Sequence, residues 1–138
     1  MKTFLILSSI LAMAQAALAA KPLRIRIESK CETCTPTNLG KLDAALRNNL
    51  QDFGLVEAEP GTKAPTLIVF ALQEDSVWFL SQVVNSPRGS MVSVTREEFK
   101  GGFKDILAWG ADSAVVDAKR VIEEAMQRAK EASEKKGK

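Results

Sequence analysis

Two cysteines, Cys31 and Cys34, are the residues of this 138-residue chain whose type and spacing suggest chemistry most directly. Two thiols three positions apart can close a short disulfide, exchange electrons as a thiol–disulfide pair, or offer soft thiolate ligands to Cu(I) or Zn(II). The spacing alone does not choose among these three. In an exported chain, neighbouring cysteines are usually oxidised, so we expect a structural disulfide first, a redox pair second and a metal site third.

The residues needed for most enzyme mechanisms are missing, because the chain has no histidine and no tyrosine. Without an imidazole, a Ser/His/Asp or Cys/His nucleophile cannot be assembled. General acid or base chemistry near neutral pH would rest on Asp, Glu or Lys with strongly shifted pKa values. No acidic pair has the spacing of a carboxylate dyad or a calcium loop. The sequence therefore predicts no catalytic residues and no cofactor.

Trp109 and Val116 form a second candidate, for binding rather than catalysis. They lie two turns apart on the last predicted helix, roughly opposite its apolar stripe at about 100° per residue. An exposed tryptophan is typical of an interface anchor. The alternative is that a loop covers it, or that the helix is buried on two sides. We treat both residues as a candidate protein interface.

The first nineteen residues predict a cleavable secretory signal peptide. Met1 and Lys2 give a basic start, an apolar run extends from Thr3 to Ala16, and positions 17–19 have the small-x-small pattern of a cleavage site. The apolar run is shorter than the roughly 20 residues that span a bilayer, so we expect cleavage after Ala19 and no membrane span afterwards. The mature chain would be periplasmic or secreted.

The mature chain is nearly balanced in charge. Only one of the 19 basic residues, Lys2, precedes the predicted cleavage point, which leaves 18 basic against 17 acidic side chains. A net charge so close to zero does not favour nucleic acid as a partner. We expect an envelope or secreted protein as the partner instead.

The amino-terminal half of the mature chain predicts a strand followed by a helix. Apolar and charged residues alternate from Leu23 to Ser29, as in a strand with one face on the core. Leucines and one phenylalanine then recur every three or four residues, at Leu39, Leu42, Leu46, Leu50 and Phe53. Thr35 and Pro36 provide a helix cap and a first-turn proline, and Gly54 provides a stop.

Short apolar segments follow, which we predict to be strands. They are residues 55–59, 66–72, 77–84 and 91–95, and the run 66–72 is the most apolar in the mature chain. We therefore expect residues 66–72 to form the central strand. The connections between the last three segments have only four to six polar residues, so these strands are predicted to form an antiparallel meander.

A long helix is predicted to end the chain. Thr95 and Glu98 have the spacing of a capping box, which predicts a helix start there. The apolar positions that follow share one helical face: Phe99, Phe103, Ile106, Leu107, Gly110, Ala114, Ala118, Val121, Ile122 and Ala125. Since interior glycines weaken a helix, Gly101 and Gly102 predict a kink, or a new start at Phe103. The charged tail from about residue 130 is expected to fray.

Together these elements predict an α+β fold with a mixed, mostly antiparallel sheet of four to five strands. Two helices, including the long carboxy-terminal one, should cover one face of the sheet. The 119 residues after the predicted signal peptide are enough for one core, so residues 20–138 are predicted to form a single domain.

The cysteine motif resembles two known arrangements. A C-x-x-C between a strand and a helix resembles the start of the thioredoxin fold, and Pro65 heads a strand similar to the one that faces the cysteines there. However, Pro36 follows the second cysteine where that family's helix is already under way, and no second helix fits between Glu59 and Pro65. The motif also resembles heavy-metal-binding ferredoxin-like domains, although Ser29 and Lys30 stand where that family has Met-Thr.

The order of elements is similar to the small α/β domains of TolB-type and curli-secretion-type envelope proteins. The similarity covers about residues 23–94 and includes a helix ending in Phe53-Gly54-Leu55-Val56 and the strand that begins at Ala64 and Pro65. The lipid-attachment cysteine common in the second group is absent. The resemblance implies a non-enzymatic role in binding an envelope partner. It identifies no site residues.

The sequence therefore favours an exported, non-catalytic protein-binding or accessory domain of the cell envelope. The alternative is a thiol–disulfide redox protein that uses Cys31 and Cys34, and the third hypothesis is a metal-binding module at the same residues.

Overall fold

A five-stranded mixed sheet carries helices on one of its faces, and this confirms the predicted α+β fold class. The structure is a computed structural model that describes residues 22–136. The predicted signal peptide, residues 1–19, and its cleavage point lie outside the described residues. Every helix within 22–136 is too short or too polar to cross a bilayer.

The sheet combines parallel and antiparallel pairing. Its strands are β1 (Leu23–Lys30), β2 (Leu55–Glu57), β3 (Thr66–Glu74), β4 (Val77–Asn85) and β5 (Met91–Phe99), arranged in the order β2-β1-β3-β4-β5. β1 lies parallel to both β2 and β3. The segment β3-β4-β5 is an antiparallel meander with β3 at the centre of the sheet, as the sequence predicted.

Helix α1 spans Pro36–Asp52 and has the predicted ends. The backbone N–H of Asn38 donates to the Thr35 side chain at 3.2 Å, which satisfies one of the free donors of the first turn. Leu42, Leu46 and Leu50 recur every four residues and are buried. Gly54 follows with a φ of 71°, a conformation that glycine adopts without steric cost.

The carboxy-terminal helix has three continuous segments, which we name α2 together. They are one α-helical turn (Phe103–Asp105), a π-helical turn (Ile106–Gly110) and a long α-helix (Ala111–Lys136). α1 packs over β1 and β2, and the long segment of α2 packs over β3, β4 and β5. All residues from Met126 to Lys136 are exposed, so the end of α2 extends beyond the core.

The predicted helix start at Thr95 and Glu98 is wrong. Residues 95–99 continue β5, with Thr95 opposite Gln82 and Phe99 opposite Trp78. Pairing with β4 satisfies the backbone of this segment, and strand alternation turns Phe99 onto the core face, where it is buried. The helix begins instead at Phe103, after Gly102 with a φ of 98°. The predicted alternative, a new start at Phe103, is confirmed.

An ion-pair network joins α1 to the parallel strands. The Ser29 hydroxyl donates to Asp43 at 2.9 Å, the Arg47 Nε donates to Asp43 at 2.8 Å, and Arg47 also pairs with Glu57 of β2. The hydrogen bond from Arg47 lowers the pKa of Asp43, against the opposing effect of burial. Because the pKa of Asp43 is lower in the folded chain than in the unfolded chain, the ionised carboxylate stabilises the fold at pH values above its unfolded-state pKa. This stabilisation is lost as the pH falls through its folded-state pKa.

Candidate functional site

Cys31 and Cys34 are joined by a disulfide in the loop between β1 and α1, with Cα atoms 5.4 Å apart. Both residues are half-buried and pack against the edge of the core. The side chain of Thr33, between them, accepts a hydrogen bond from the backbone N–H of Gln73 at 3.1 Å. The bridged loop is therefore fastened to the end of β3.

The described residues do not assemble a metal site. Within 22–136, no group of three or more histidine, cysteine, aspartate or glutamate side chains lies close enough together to hold a metal ion. The sulfurs of Cys31 and Cys34 are bonded to each other, and a metal would require them as thiolates. The disulfide covalently links the two ends of this short loop.

Trp109 and Val116 lie on the outer side of α2, as the predicted helical face required. Trp109 is 69% exposed and Val116 is 41% exposed. Asp112, three residues after Trp109 and four before Val116, is also exposed. These three side chains, which we name the Trp109 surface, occupy successive turns of one helix side.

The π-helical turn explains how Trp109 is held outside the core. The backbone N–H of Ala111 donates to the carbonyl of Ile106, five residues earlier, so the turn contains one residue more than an α-helical turn. Ile106 and Ala111 are both fully buried and therefore share the inner side of the helix. Trp109, between them, lies on the outside of the widened turn.

Gly110 brings this turn close to the sheet. A Cβ at this position would lie 2.9 Å from Cζ of Phe99 and 3.0 Å from Cδ2 of Leu80, so no larger side chain fits without a shift. The predicted apolar stripe included Gly110 but gave no sign of the π-helical turn, because a one-residue insertion changes the phase of the helix without changing its composition.

A second exposed surface, which was not predicted from the sequence, lies on the side of the sheet opposite the helices. We name it the outer sheet face and define its apolar part as Ile68, Phe70, Leu72, Phe79, Val83 and Val94. Phe70 is 38% exposed, Leu72 36% and Val94 56%. Charged groups partly cover two of the rings: the Lys30 Nζ lies 5.6 Å from the centroid of Phe70, and the Arg96 guanidinium 4.0 Å from that of Phe79.

A groove of about 610 Å³ lies between the second half of α2 and the β4–β5 turn. Its walls include Leu23, Pro65, Val92, Ile122 and Met126. Among the described residues that line it, the titratable one is Arg88 in the turn.

No known protein family and no curated protein matches the sequence. Among solved structures, a PelC dodecamer variant from Paraburkholderia phytofirmans is similar with a TM-score of 0.50 and 15% identity, over 70% of this chain and 82% of that chain. TolB from Acinetobacter baumannii is similar with a TM-score of 0.49 and 7% identity, over 72% of this chain and 28% of TolB. The LpoB C-terminal domain from Salmonella enterica gives a TM-score of 0.31 and 12% identity, over 59% of this chain and 84% of that domain.

These similarities concern the fold alone. A TolB structure is among those found, in agreement with the resemblance to TolB-type domains predicted from the sequence. PelC, TolB and LpoB are envelope proteins.

Proposed function

We propose that this chain is an exported accessory domain of the cell envelope that acts by binding another protein. The observation that carries the proposal is Trp109, whose side chain is 69% exposed in the part of α2 whose inner side is buried against the core. Tryptophan is enriched among the residues that dominate binding energy in protein interfaces. An indole left in water on the outside of a widened helical turn is suited to fill an apolar pocket on a partner.

The Trp109 surface also indicates the chemistry of the partner. Asp112 adds a negative charge beside the indole, and Val116 extends the apolar contact by one more turn. A fitting partner therefore presents an apolar pocket for the indole with a basic side chain at its rim. An envelope location is supported by the predicted signal peptide and by the similarity in fold to PelC.

Crosslinking from position 109 tests the proposal directly. A photo-crosslinking amino acid in place of Trp109, in the full chain expressed in its host, is expected to yield a discrete adduct with another protein in the envelope fraction. The same amino acid at Glu134, which is exposed on the tail of the same helix, is the matched control and should yield none. Identical adducts from both positions, or none from position 109, would contradict the proposal.

Trp109→Ala should separate binding from stability. Because the indole lies mostly in water, we expect the free energy of unfolding to change by no more than about 0.5 kcal/mol. Affinity for the crosslinked partner, measured by calorimetry with the purified proteins, should fall about 30-fold, which corresponds to about 2 kcal/mol. A loss of stability of about 3 kcal/mol or more would place Trp109 in the core and remove this basis for the proposal.

A thiol–disulfide function is the second candidate. The half-exposed disulfide precedes the amino terminus of α1, where free backbone N–H groups favour a thiolate. The reduction potential of the Cys31–Cys34 pair in the purified mature protein discriminates the two roles. We expect a value below about −300 mV, as for a structural bridge, whereas a value between about −270 and −120 mV would favour the redox function.

A further inference from the structure

The outer sheet face has the composition of a buried surface. A strand with one face in water alternates apolar and polar residues, as β1 does with Arg24, Arg26, Glu28 and Lys30 on its outer side. β3 does not alternate, because its outer residues Ile68, Phe70 and Leu72 are as apolar as the inner ones. An unbroken apolar run is typical of a strand that is covered on both faces.

This apolar area continues across neighbouring strands. Ile68 lies directly opposite Val83, and Leu72 lies directly opposite Phe79 on β4. Val83 in turn lies opposite Val94 on β5. Contiguous apolar surface of this kind, bordered by charged side chains, marks an interface in soluble proteins. Both helices pack on the other side of the sheet, so within residues 22–136 this side carries no covering helix.

We infer that a second copy of this chain covers the outer sheet face, so that two sheets stack face to face in a symmetric dimer. Charge complementarity between the two copies supports this arrangement. On β1, Glu28 lies level with Ile68 of β3, and Lys30 lies level with Phe70. The two-fold axis would lie between the two sheets, perpendicular to the strands and midway between these two levels. It would bring Lys30 of each copy opposite Glu28 of the other.

The same axis brings two apolar residues of β3 together. It places Phe70 of one copy against Ile68 of the other, so one operation forms two ion pairs and an apolar contact at the axis. The strands of the two sheets would then run antiparallel and about 10 Å apart, as in aligned sheet packing. The helices would lie on the two outer sides of a four-layer assembly.

The area of the outer sheet face also supports a dimer. Four neighbouring strands at about 4.8 Å spacing and about 30 Å length present about 570 Å² in projection. This projected area is of the same order as the about 800 Å² that each partner buries in a standard interface. The outer sheet face is therefore comparable in size to one side of a dimer interface.

Sedimentation equilibrium of the purified mature chain over a wide concentration range tests this dimer. We expect a reversible dimer, and we expect Leu72→Lys to raise its dissociation constant about 100-fold, because a charge would enter the apolar area that the dimer buries. The side chain of Leu72 is 36% exposed, so the variant should still fold, which circular dichroism can verify. Met126→Lys is the matched control on the helical side and should leave the dissociation constant unchanged.

A charge exchange tests the proposed symmetry. Glu28→Lys and Lys30→Glu should each raise the dissociation constant about tenfold, because each places like charges opposite one another. The double variant restores opposite charges and should return the value to that of the natural sequence. A chain that stays monomeric, a dimer that tolerates Leu72→Lys, or a double variant as weak as either single one would overturn the inference. A protein or lipid partner lost in Leu72→Lys, with the chain itself monomeric, would also overturn it.

Discussion

Replacement of Ile106 by alanine is expected to lower the free energy of unfolding by about 3 to 4 kcal/mol. Ile106 is fully buried and begins the π-helical turn, where it packs into the main hydrophobic core. Truncation removes apolar atoms from this core and leaves a cavity, and both effects destabilise the folded chain. The loss should also weaken the turn that keeps Trp109 outside the core.

Urea denaturation followed by far-UV circular dichroism measures this effect. Met126→Ala is the control, because Met126 is 58% exposed on the same helix and should change stability by no more than about 0.5 kcal/mol. A cost below about 1 kcal/mol for Ile106→Ala would mean that this side chain is not part of the core.

Gly110→Ala should destabilise the protein although alanine is the better helix former. The new Cβ would approach Phe99 and Leu80 to 2.9 and 3.0 Å, and both side chains are buried. Overpacking of this kind costs about 1 to 3 kcal/mol, which outweighs the gain of up to about 1 kcal/mol in helix propensity. We expect a net loss of about 1 to 2 kcal/mol.

Gly40→Ala supplies a matched comparison, because Gly40 lies inside α1 and nothing lies within 4 Å of the position its Cβ would occupy. There the propensity gain is unopposed, and stability should rise by about 0.5 to 1 kcal/mol. The two glycine replacements are therefore expected to shift the thermal midpoint in opposite directions. Shifts of the same sign would show that α2 does not approach the sheet this closely at Gly110.

Local patterns explain what the sequence could predict. The alternation in β1 and the leucine spacing in α1 are set by burial of one face, and both elements have the predicted limits to within about one residue. The boundary after β5 failed because Thr95 and Glu98 suit either a capping box or an edge strand. Hydrogen bonding with β4 decides between them, and a short sequence pattern carries no information about that pairing.

Some features of the candidate site could likewise be predicted from local patterns, and others could not. Exposure of Trp109 followed from its position relative to the apolar stripe, and the structure confirms that exposure. The π-helical turn rotates the residues that follow Ile106 relative to a regular α-helix. Ala111 and Val115 are therefore fully buried, although the predicted apolar stripe omitted them. The outer sheet face was missed because a local apolar run indicates burial without showing what covers each side.

The position of α2 at the end of the chain has a consequence for the order of folding. Of the 21 buried hydrophobic residues among those described, six lie in α2, after Gly102. No helix packs on the inner sides of β3 and β4 until α2 has formed. β1 pairs with β3, which lies about 40 residues later in the chain, so this pairing also requires a distant segment. In a chain that crosses a membrane amino terminus first, the core therefore cannot close before the carboxy-terminal segment arrives. The order of the elements would therefore keep an exported chain unfolded until its carboxy-terminal segment has crossed the membrane.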